Sequence, residues 1–153
     1  TTLYGVDIYG RKALTELINR LSEIDGIEWI RLLYAYPEEI NDELIDVMAT
    51  TPTVCHYIDM PIQHCYDYIL GRMGRKTSKA DILDIISRLK TAMPDMSIRT
   101  TLICGFPGET EEMHKEVLEF IKDIKFDRLG AFAYSREENT PAFDFPTEAL
   151  LLC

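Results

Sequence analysis

Residues 99–110 read RTTLICGFPGET and run from a strand-like segment, through a turn with two glycines, into a helix-like segment. The β-branched and apolar run over residues 98–104 predicts a β-strand. Gly105 and Gly108 tolerate positive φ and let a ligand approach the backbone closely, and Thr110 is a typical N-cap for the helical pattern behind it. The segment therefore predicts either a ligand-binding turn at a strand end or a plain strand-to-helix connection that Thr110 caps.

The same alternation of strand-like and helix-like segments extends over the rest of the chain. Further strands are predicted over residues 29–36, 57–60 and 128–134, and apolar helical stripes follow Leu14, Asn41 or Pro37, Ser78 and Thr110. No glycine-rich dinucleotide turn follows any of these strands. This rhythm predicts an α/β fold with right-handed crossovers, namely a partial (β/α) TIM-like barrel with parallel strands. We expect residues 1–148 to form this one domain and residues 149–153 to be a tail of uncertain origin.

The composition is typical of a globular domain. Of the 153 residues, 46% are hydrophobic, and no apolar stretch approaches the roughly 20 residues that span a membrane. The formal net charge of −10 repels phosphates, so we expect this segment to bind neither nucleic acid nor membrane directly. The four cysteines are too widely spaced for a disulfide framework or a zinc site, which predicts a cytoplasmic location. The chain opens on Thr1 rather than Met, which suggests a piece of a longer protein.

Polar, aromatic and glycine residues follow the predicted strands directly. They read YAYP at residues 34–37, DMPIQH at residues 59–64, GFPGET at residues 105–110 and YSR at residues 134–136. Because the carboxyl ends of parallel strands meet at one edge of a sheet, we expect these residues to line one mouth. His64 at such an end is a possible base or hydrogen-bond donor, although a lone His is more often structural. Asp59 and His64 with one further ligand could also hold a metal ion.

Strand alternation places Arg99 on the same face as Thr101 and Ile103. An Arg on the inner face of a barrel needs a partner, because an unpaired buried charge is costly. Either a ligand carboxylate or Asp59 on the neighbouring strand can supply it. Cys104 alternates to the opposite, apolar face, which predicts a buried and inert thiol.

The ordered series of motifs resembles the radical S-adenosylmethionine (SAM) domain of methylthiotransferases. The series reads YGVDIYG, WIRLLYAYP, YIDMPIQH, ILGRMGR, RTTLICGFPGETEE and FDRLGAFAYSREENTPA, and it covers roughly residues 1–145. GFPGETEE by itself is moderately specific, whereas the whole ordered series is highly specific. The resemblance implies a radical SAM barrel and an enzyme that transfers a sulfur-containing group.

Within this family, the sequence resembles the branch that modifies a ribosomal protein rather than tRNA. Gln63 and His64 stand where the tRNA enzymes typically have Gln-Ser, and Arg99 with Thr101 stands where they typically have an uncharged residue and an Asp. Residues 33–37, LYAYP, replace their Ser-His-Pro-like turn. The resemblance implies addition of a methylthio group to the β-carbon of an aspartate in a small-subunit ribosomal protein, which is the expected partner.

The resemblance also implies two kinds of cofactor, SAM and 4Fe–4S clusters. A cluster needs cysteine thiolates at close spacing, and the Cys-x3-Cys-x2-Cys pattern usual in this superfamily does not occur here; Cys55 and Cys65 are the nearest pair in sequence. Residues 1–5 match the end of the second barrel strand, so we expect the cluster ligands to lie upstream of this chain. We assign no catalytic residue and no metal ligand to the segment, and we expect it to be inactive when isolated.

By position in the family pattern, the segment would supply the barrel wall that binds SAM. Gln63 and Arg99 would hold the ribose or the carboxylate, residues 105–108 would shape the floor, and residues 132–134 would border the adenine. The predicted cofactor-binding residues are Gln63, His64, Arg99, Thr101, Gly105, Phe106, Gly108, Phe132 and Tyr134.

Two positions depart from the family pattern. Tyr66 stands where a small Ser is usual and puts a bulky ring near the pocket. Asn139 replaces the Gly of the usual GTPA turn, and Asn tolerates the left-handed geometry that the turn needs.

Three alternative functions stay open at this point. The chain could belong to a tRNA methylthiotransferase of the same family, to a metal-dependent TIM-barrel enzyme built on Asp59 and His64, or to a non-catalytic fragment. Iron and sulfide analysis of a reconstituted sample distinguishes them, because a stoichiometric cluster in this segment alone would contradict upstream ligands.

Overall fold

The computed structural model describes residues 2–146, and within them helices and strands alternate. The α-helices are Val6–Tyr9 (α1), Leu14–Ser22 (α2), Asp42–Thr50 (α3), Asp67–Arg72 (α4), Lys79–Ala92 (α5) and Glu111–Ile124 (α6). The strands are Ile30–Leu32 (β1), Val54–Asp59 (β2), Ser97–Cys104 (β3) and Arg128–Ala133 (β4), and short 3-10 helices span Pro37–Glu39 and Pro141–Asp144.

In the described part of the chain, four parallel strands form one sheet in the order β1-β2-β3-β4. Arg99 of β3 lies opposite Asp59 of β2 on one side and opposite Arg128 of β4 on the other. Each strand is connected to the next through at least one helix, so spatial order follows chain order. The predicted partial TIM-like barrel with parallel strands is confirmed.

Alternation along β3 separates a core face from an open face. Ile98, Thr100 and Leu102 are buried, whereas Arg99 and the other alternate residues of the strand are partly exposed. Residues in register on neighbouring strands share a face. We call the exposed side the open face and define it by Arg31, Tyr57, Asp59, Arg99, Thr101, Ile103, Arg128, Gly130 and Phe132.

The helices cover the core face with their apolar stripes. The centre of the core consists of fully buried residues from helices and strands, namely Ile18, Met48, Ile58, Ile82, Leu89, Ile98 and Leu102. Burial of one such side chain stabilises a fold by about 1.5–3 kcal/mol relative to its exposure. The helical stripes predicted from the sequence are therefore core and not cofactor contacts.

Side-chain caps begin three helices where the sequence predicts them. Asn41 accepts a hydrogen bond from the Leu44 amide at 2.9 Å, and Thr110 accepts one from the Met113 amide at 3.3 Å. Ser78 and Asp81 form a reciprocal capping box at the start of α5. Asn41, rather than Pro37, is thus the start of α3, while α4 was not predicted.

The predicted strand over residues 29–36 is much shorter than expected. Only Ile30–Leu32 form a strand beside β2, and Tyr34 takes a left-handed φ of 56° that ends the extended run. One further hydrogen bond joins the Ala35 amide to Asp59 O at 2.8 Å. Trp29 is 71% exposed and Tyr34 69%, so the prediction of a buried strand is wrong except at Leu32 and Ala35. Hydrophobicity predicted burial here, but the open face leaves these rings uncovered.

The two ends of the sequence differ from expectation or lie outside the described residues. Residues 2–5 form a turn, so the predicted strand end at residues 1–5 is wrong where the structure describes it. The tail predicted at residues 149–153 lies outside the described residues. Asn139 takes a φ of 64°, as its expected left-handed turn requires. Across residues 2–146, every helix is too short or too polar to cross a bilayer.

Candidate functional site

Gln63 lies at the carboxyl edge of the sheet in a backbone conformation that L-residues rarely adopt. Its φ is 69°, and its backbone bridges to β3 through a hydrogen bond to Thr101 O at 2.9 Å and one from the Ile103 amide at 2.9 Å. Its side-chain Oε1 is buried and has no hydrogen-bond partner among the described residues. A buried oxygen without a partner can accept a hydrogen bond from a bound molecule, and a strained backbone at such a position is often found at functional sites.

The turn from Gly105 to Gly108 is held by a carboxylate of its own. Gly105 and Gly108 take φ values of 75° and 93°, as predicted. Glu109 is 3% exposed, and its Oε2 accepts hydrogen bonds from the Gly105 amide at 2.5 Å and the Phe106 amide at 3.3 Å. These two amides are therefore bound to Glu109 and are not free for a ligand carboxylate.

Two histidines contact the other oxygen of Glu109. His114 Nδ1 lies 3.0 Å from Oε1, and His64 Nε2 faces it across 3.4 Å. His64 Nδ1 accepts the Tyr66 amide at 2.9 Å, so the ring proton of a neutral His64 sits on Nε2, which has no hydrogen-bond partner within residues 2–146. Burial raises the pKa of Glu109, but the contacts with His64, His114 and the Gly105 amide outweigh it and hold the pKa below its ordinary value. Glu109 is thus a buried carboxylate that fixes the turn.

Aromatic rings support the turn from below. Phe106 is 5% exposed and meets Tyr134 edge to face, with the ring centroids 5.2 Å apart. Arg72 donates from Nε to Pro107 O at 3.1 Å and lies 4.2 Å from the Phe145 ring. The φ of 93° favours glycine at position 108, and a Cβ there would come within 3.2 Å of the Arg72 side chain, which would have to shift slightly.

The open face carries a charged pair and an exposed ring. Arg99 Nη1 donates to Asp59 Oδ1 at 2.7 Å, and this hydrogen bond raises the pKa of Arg99. Asp59 therefore provides the structural partner that the sequence left open. One of the five guanidinium donors is used in this contact, so Arg99 retains donors for a ligand. Phe132, in register with Ile103, is 61% exposed at the carboxyl end of β4.

The predicted site residues divide into two layers in the structure. Six of them reach the open face or the turn surface, namely Gln63, Arg99, Thr101, Gly105, Gly108 and Phe132. His64 and Phe106 are buried beneath that layer, and Tyr134 is half-buried with its hydroxyl 3.3 Å from Ala142 O. All nine gather at the carboxyl ends of β2, β3 and β4 or on the adjoining open face.

Glu109, His114 and Arg72 were missed as site residues by the sequence reasoning. Glu109 stands inside the quoted GFPGET motif, and an acidic residue directly after a two-glycine turn was the available signal. The pairing with His64 depends on a contact between two strand ends and leaves no local pattern in the sequence. Cys104 is half-buried rather than buried, so the prediction of a core thiol is wrong for it.

The cysteines do not fit an iron–sulfur cluster within the described part of the chain. Residues 2–146 contain no group of three or more His, Cys, Asp or Glu side chains placed to hold a metal ion. Burial raises the pKa of the Cys65 thiol to about 11, so this residue is a poor source of thiolate. Asp59 is paired with Arg99 and His64 with Glu109, which leaves the metal-dependent alternative without a ligand set in this region.

A family model for the radical SAM superfamily matches residues 1–121. The chain belongs to the radical SAM superfamily. Members of this superfamily use SAM and 4Fe–4S clusters, and the cofactor prediction made from the motif series is confirmed at the level of the family.

The chain is also similar to curated methylthiotransferases. It is 57% identical over 142 residues to a protein named ribosomal protein uS12 methylthiotransferase RimO from Lachnoclostridium phytofermentans, across 93% of this chain and 32% of that protein. A protein of the same name from Clostridium tetani is 52% identical over 150 residues, across 98% of this chain and 34% of that protein. The resemblance to the ribosomal-protein branch is confirmed, and the chain spans about a third of the length of these relatives.

Two solved structures share the fold of this chain. The radical SAM methyltransferase TsrM from Kitasatospora setae, with cobalamin and a 4Fe–4S cluster bound, has a TM-score of 0.63 at 17% identity over 81% of this chain and 24% of that chain. Elp3 from Methanocaldococcus infernus has a TM-score of 0.61 at 21% identity over 73% of this chain and 26% of that chain. These similarities show the fold alone.

Proposed function

We propose that this chain is the SAM-binding wall of a radical SAM methylthiotransferase that modifies the small-subunit ribosomal protein uS12. In this proposal the methylthio group is added to the β-carbon of an aspartate of uS12. Similarity to proteins of that name over more than nine-tenths of the chain supports the proposal. A ribosomal protein as substrate also favours action in the cytoplasm.

The buried Oε1 of Gln63 is the observation that carries the SAM site. It has no hydrogen-bond partner among residues 2–146, and it lies beside the turn in which Gly105 and Gly108 carry no side chain. A ribose hydroxyl is a donor of suitable strength for such an oxygen. SAM, when bound, supplies the reactive fragment that removes a hydrogen atom from an unactivated carbon.

The other residues of the wall orient and enclose the bound molecule. The free donors of Arg99 suit a carboxylate, and Asp59 fixes the guanidinium so that little side-chain entropy is lost on binding. Phe132 presents a ring face for the adenine, and Gly105 and Gly108 leave room for close approach. His64, Phe106 and Tyr134 act beneath this layer by keeping the turn in place.

An assay with two candidate substrates tests the proposed function. A full-length protein that contains this segment, with reconstituted clusters and SAM, is incubated separately with uS12 and with tRNA. We expect mass spectrometry to find a methylthio group on an aspartate of uS12 and none on tRNA. Methylthiolated tRNA with unmodified uS12 would contradict the proposal and favour the tRNA branch.

A further inference from the structure

Tyr34 has a strained backbone at the carboxyl end of β1, although its ring is exposed. Its φ is 56°, a left-handed conformation that a bulky side chain seldom adopts. The ring is 69% exposed, so its burial does not offset the strain. The next residue fixes this conformation, because Ala35 is 2% exposed and its amide donates to Asp59 O at 2.8 Å. Backbone strain of this kind is often found at functional sites.

Of the four non-glycine residues with positive φ in the described part of the chain, two lie at one edge of the sheet. Lys125 ends α6, and Asn139 stands in a turn whose geometry Asn tolerates. Tyr34 and Gln63, in contrast, follow the neighbouring strands β1 and β2 at their carboxyl ends. Since Gln63 carries the proposed SAM site, Tyr34 occupies the adjoining position on the same edge.

The Tyr34 ring extends over the open face on the side of Arg99. The pKa of Arg99 is raised first by its hydrogen bond with Asp59, and further by the nearby phenols of Tyr57 and Tyr34. β1 and β3 are two strand spacings apart, or about 10 Å, with β2 between them. An interaction between Tyr34 and Arg99 therefore requires both side chains to extend over β2. The Tyr34 hydroxyl makes no hydrogen bond with any residue that the structure describes.

The place beside Tyr34 is left open by the proposed SAM-binding wall. That wall uses only β2, β3 and β4, through Gln63, Arg99, Gly105 and Phe132. With the ribose at Gln63 and the carboxylate at Arg99, the 5′ carbon of SAM lies between these two residues. Tyr34 borders this place from the β1 side, so a second reactant that reaches the 5′ carbon from there contacts the Tyr34 ring.

The surface around Tyr34 suits a polypeptide better than a nucleic acid. Leu33 and Tyr36 are each 45% exposed, so three large apolar side chains lie within four residues at this strand end. Adjoining exposed apolar side chains mark binding surfaces, and Tyr is one of the residues that contribute most to protein–protein binding. The net charge of −10 repels a phosphate backbone.

We propose that Tyr34 is a substrate-recognition residue whose ring packs against the polypeptide segment that carries the target aspartate. Leu33 and Tyr36 extend this contact, and the Tyr34 hydroxyl donates to a backbone carbonyl of the segment. The inference rests on the proposed function, since it takes the substrate to be a protein. Tyr34 determines specificity by holding the segment beside SAM, and it transfers no proton.

The test uses a full-length protein that contains this segment, with reconstituted clusters and the variants Y34N, Y34F and L118A. Asn tolerates a left-handed backbone, so Y34N removes the ring without adding strain, whereas Y34F removes only the hydroxyl. Leu118 is 45% exposed on α6, away from the open face, and is the control. Modification of uS12 gives KM and kcat, fluorescence anisotropy gives uS12 affinity, and equilibrium dialysis gives SAM affinity.

We expect Y34N to raise KM for uS12 by about tenfold and to weaken uS12 binding to the same extent. Y34F should weaken binding by about threefold, because only one hydrogen bond is lost. Affinity for SAM should stay within about twofold of wild type, since the ring contacts the substrate and not SAM. The melting temperature of Y34N should be unchanged or higher, and L118A should behave as wild type.

Other outcomes would overturn the role of Tyr34. Unchanged KM and uS12 affinity in Y34N would remove it, and an equal loss of SAM affinity would assign Tyr34 to the SAM-binding wall. A lower melting temperature with unchanged KM would assign the ring to packing within the full-length protein. Binding of tRNA that is lost in Y34N would assign it to a nucleic acid. A wild-type protein that leaves uS12 unmodified would contradict the proposed function itself, whereas unchanged KM in Y34N beside an active wild type would contradict only this inference.

Discussion

At the scale of the residue, Glu109 is the side chain on which the two-glycine turn depends. Its carboxylate holds two backbone amides and contacts two histidines in a site that is 3% exposed. We expect Glu109→Gln to lower the free energy of unfolding by about 1–3 kcal/mol, because the amide cannot replace all of these contacts. Urea unfolding measures the loss, and Glu111→Gln, two residues away and exposed, should change it by less than about 0.5 kcal/mol.

The same carboxylate predicts a pH dependence of stability. The pKa of Glu109 is lowered in the folded protein from an ordinary value of 4.5, so the unfolded chain binds the proton more readily. Its contribution is present above the ordinary pKa and is lost as the pH falls through the folded pKa. Unfolding measured between pH 3 and pH 7 should show a shallower acid-dependent loss for Glu109→Gln than for wild type. Equal slopes would contradict the role of Glu109.

Gln63 offers a second prediction at this scale, in which stability and binding separate. The left-handed backbone of Gln63 costs roughly 1–3 kcal/mol of strain, and a Gly at this position would be free of that strain. Gly also raises the conformational entropy of the unfolded chain, which destabilises the folded state and offsets part of the gain. We expect Gln63→Gly to change the free energy of unfolding by no more than about 1 kcal/mol. The same substitution should weaken SAM binding by about three- to tenfold. Asn139→Gly, at a φ of 64° outside the wall, is the control and should leave SAM affinity unchanged. Equal affinity for SAM in wild type and Gln63→Gly would contradict the wall.

At the scale of the element, helix α5 depends on its capping box. Ser78 accepts the Asp81 amide at 3.2 Å, and the Asp81 carboxylate accepts the Ser78 amide at 2.8 Å. Ser78→Ala should lower the free energy of unfolding by about 0.5–2 kcal/mol. Ser87→Ala, an exposed change inside the same helix, should be neutral or slightly stabilising, since Ala has the higher helix propensity. A loss of equal size in both variants would rule out the cap as its cause.

Local chemistry explains which elements could be predicted from the sequence. The caps at Asn41, Ser78 and Thr110 act within four residues, so the sequence alone predicts where these helices start. The alternation of residues along β3 predicts its two faces in the same way. The predicted length of β1 is too great because aromatic residues predict burial, whereas Tyr34 is exposed and left-handed.

The site was predictable in its location but not in its contacts. Residues at strand ends of a parallel sheet meet whatever their separation in sequence, so Gln63 and Gly105 were placed correctly at one edge. The contact of His64 with Glu109 and the stacking of Arg31 on Tyr57 depend on side-chain directions fixed only by packing. The sequence predicts a cofactor-binding role for His64, and in the structure its ring is buried beside Glu109.

At the scale of the whole molecule, the open face and the edge strands predict self-association of the 153-residue chain. Phe132 is 61% exposed on β4, which borders the sheet in the described part of the chain, and exposed edges of this kind pair with other molecules. We expect sedimentation velocity to show concentration-dependent association. Thermal unfolding should be broad and irreversible. Phe132→Lys should reduce the association, while Ile8→Lys, at an equally exposed position on α1, should not. A sharp, reversible melt of a monomer would contradict this prediction.

The central claim is that the carboxyl edge and open face of this sheet bind SAM. The most direct measurement is a crystal structure of a full-length protein that contains this segment, with SAM bound. We predict density for SAM on the open face, with a hydroxyl donating to Gln63 Oε1, the turn at Gly105 beneath it and the ring of Phe132 beside the adenine. SAM bound on the helix-covered side, or on the open face with Gln63 Oε1 still unpartnered, would contradict the account.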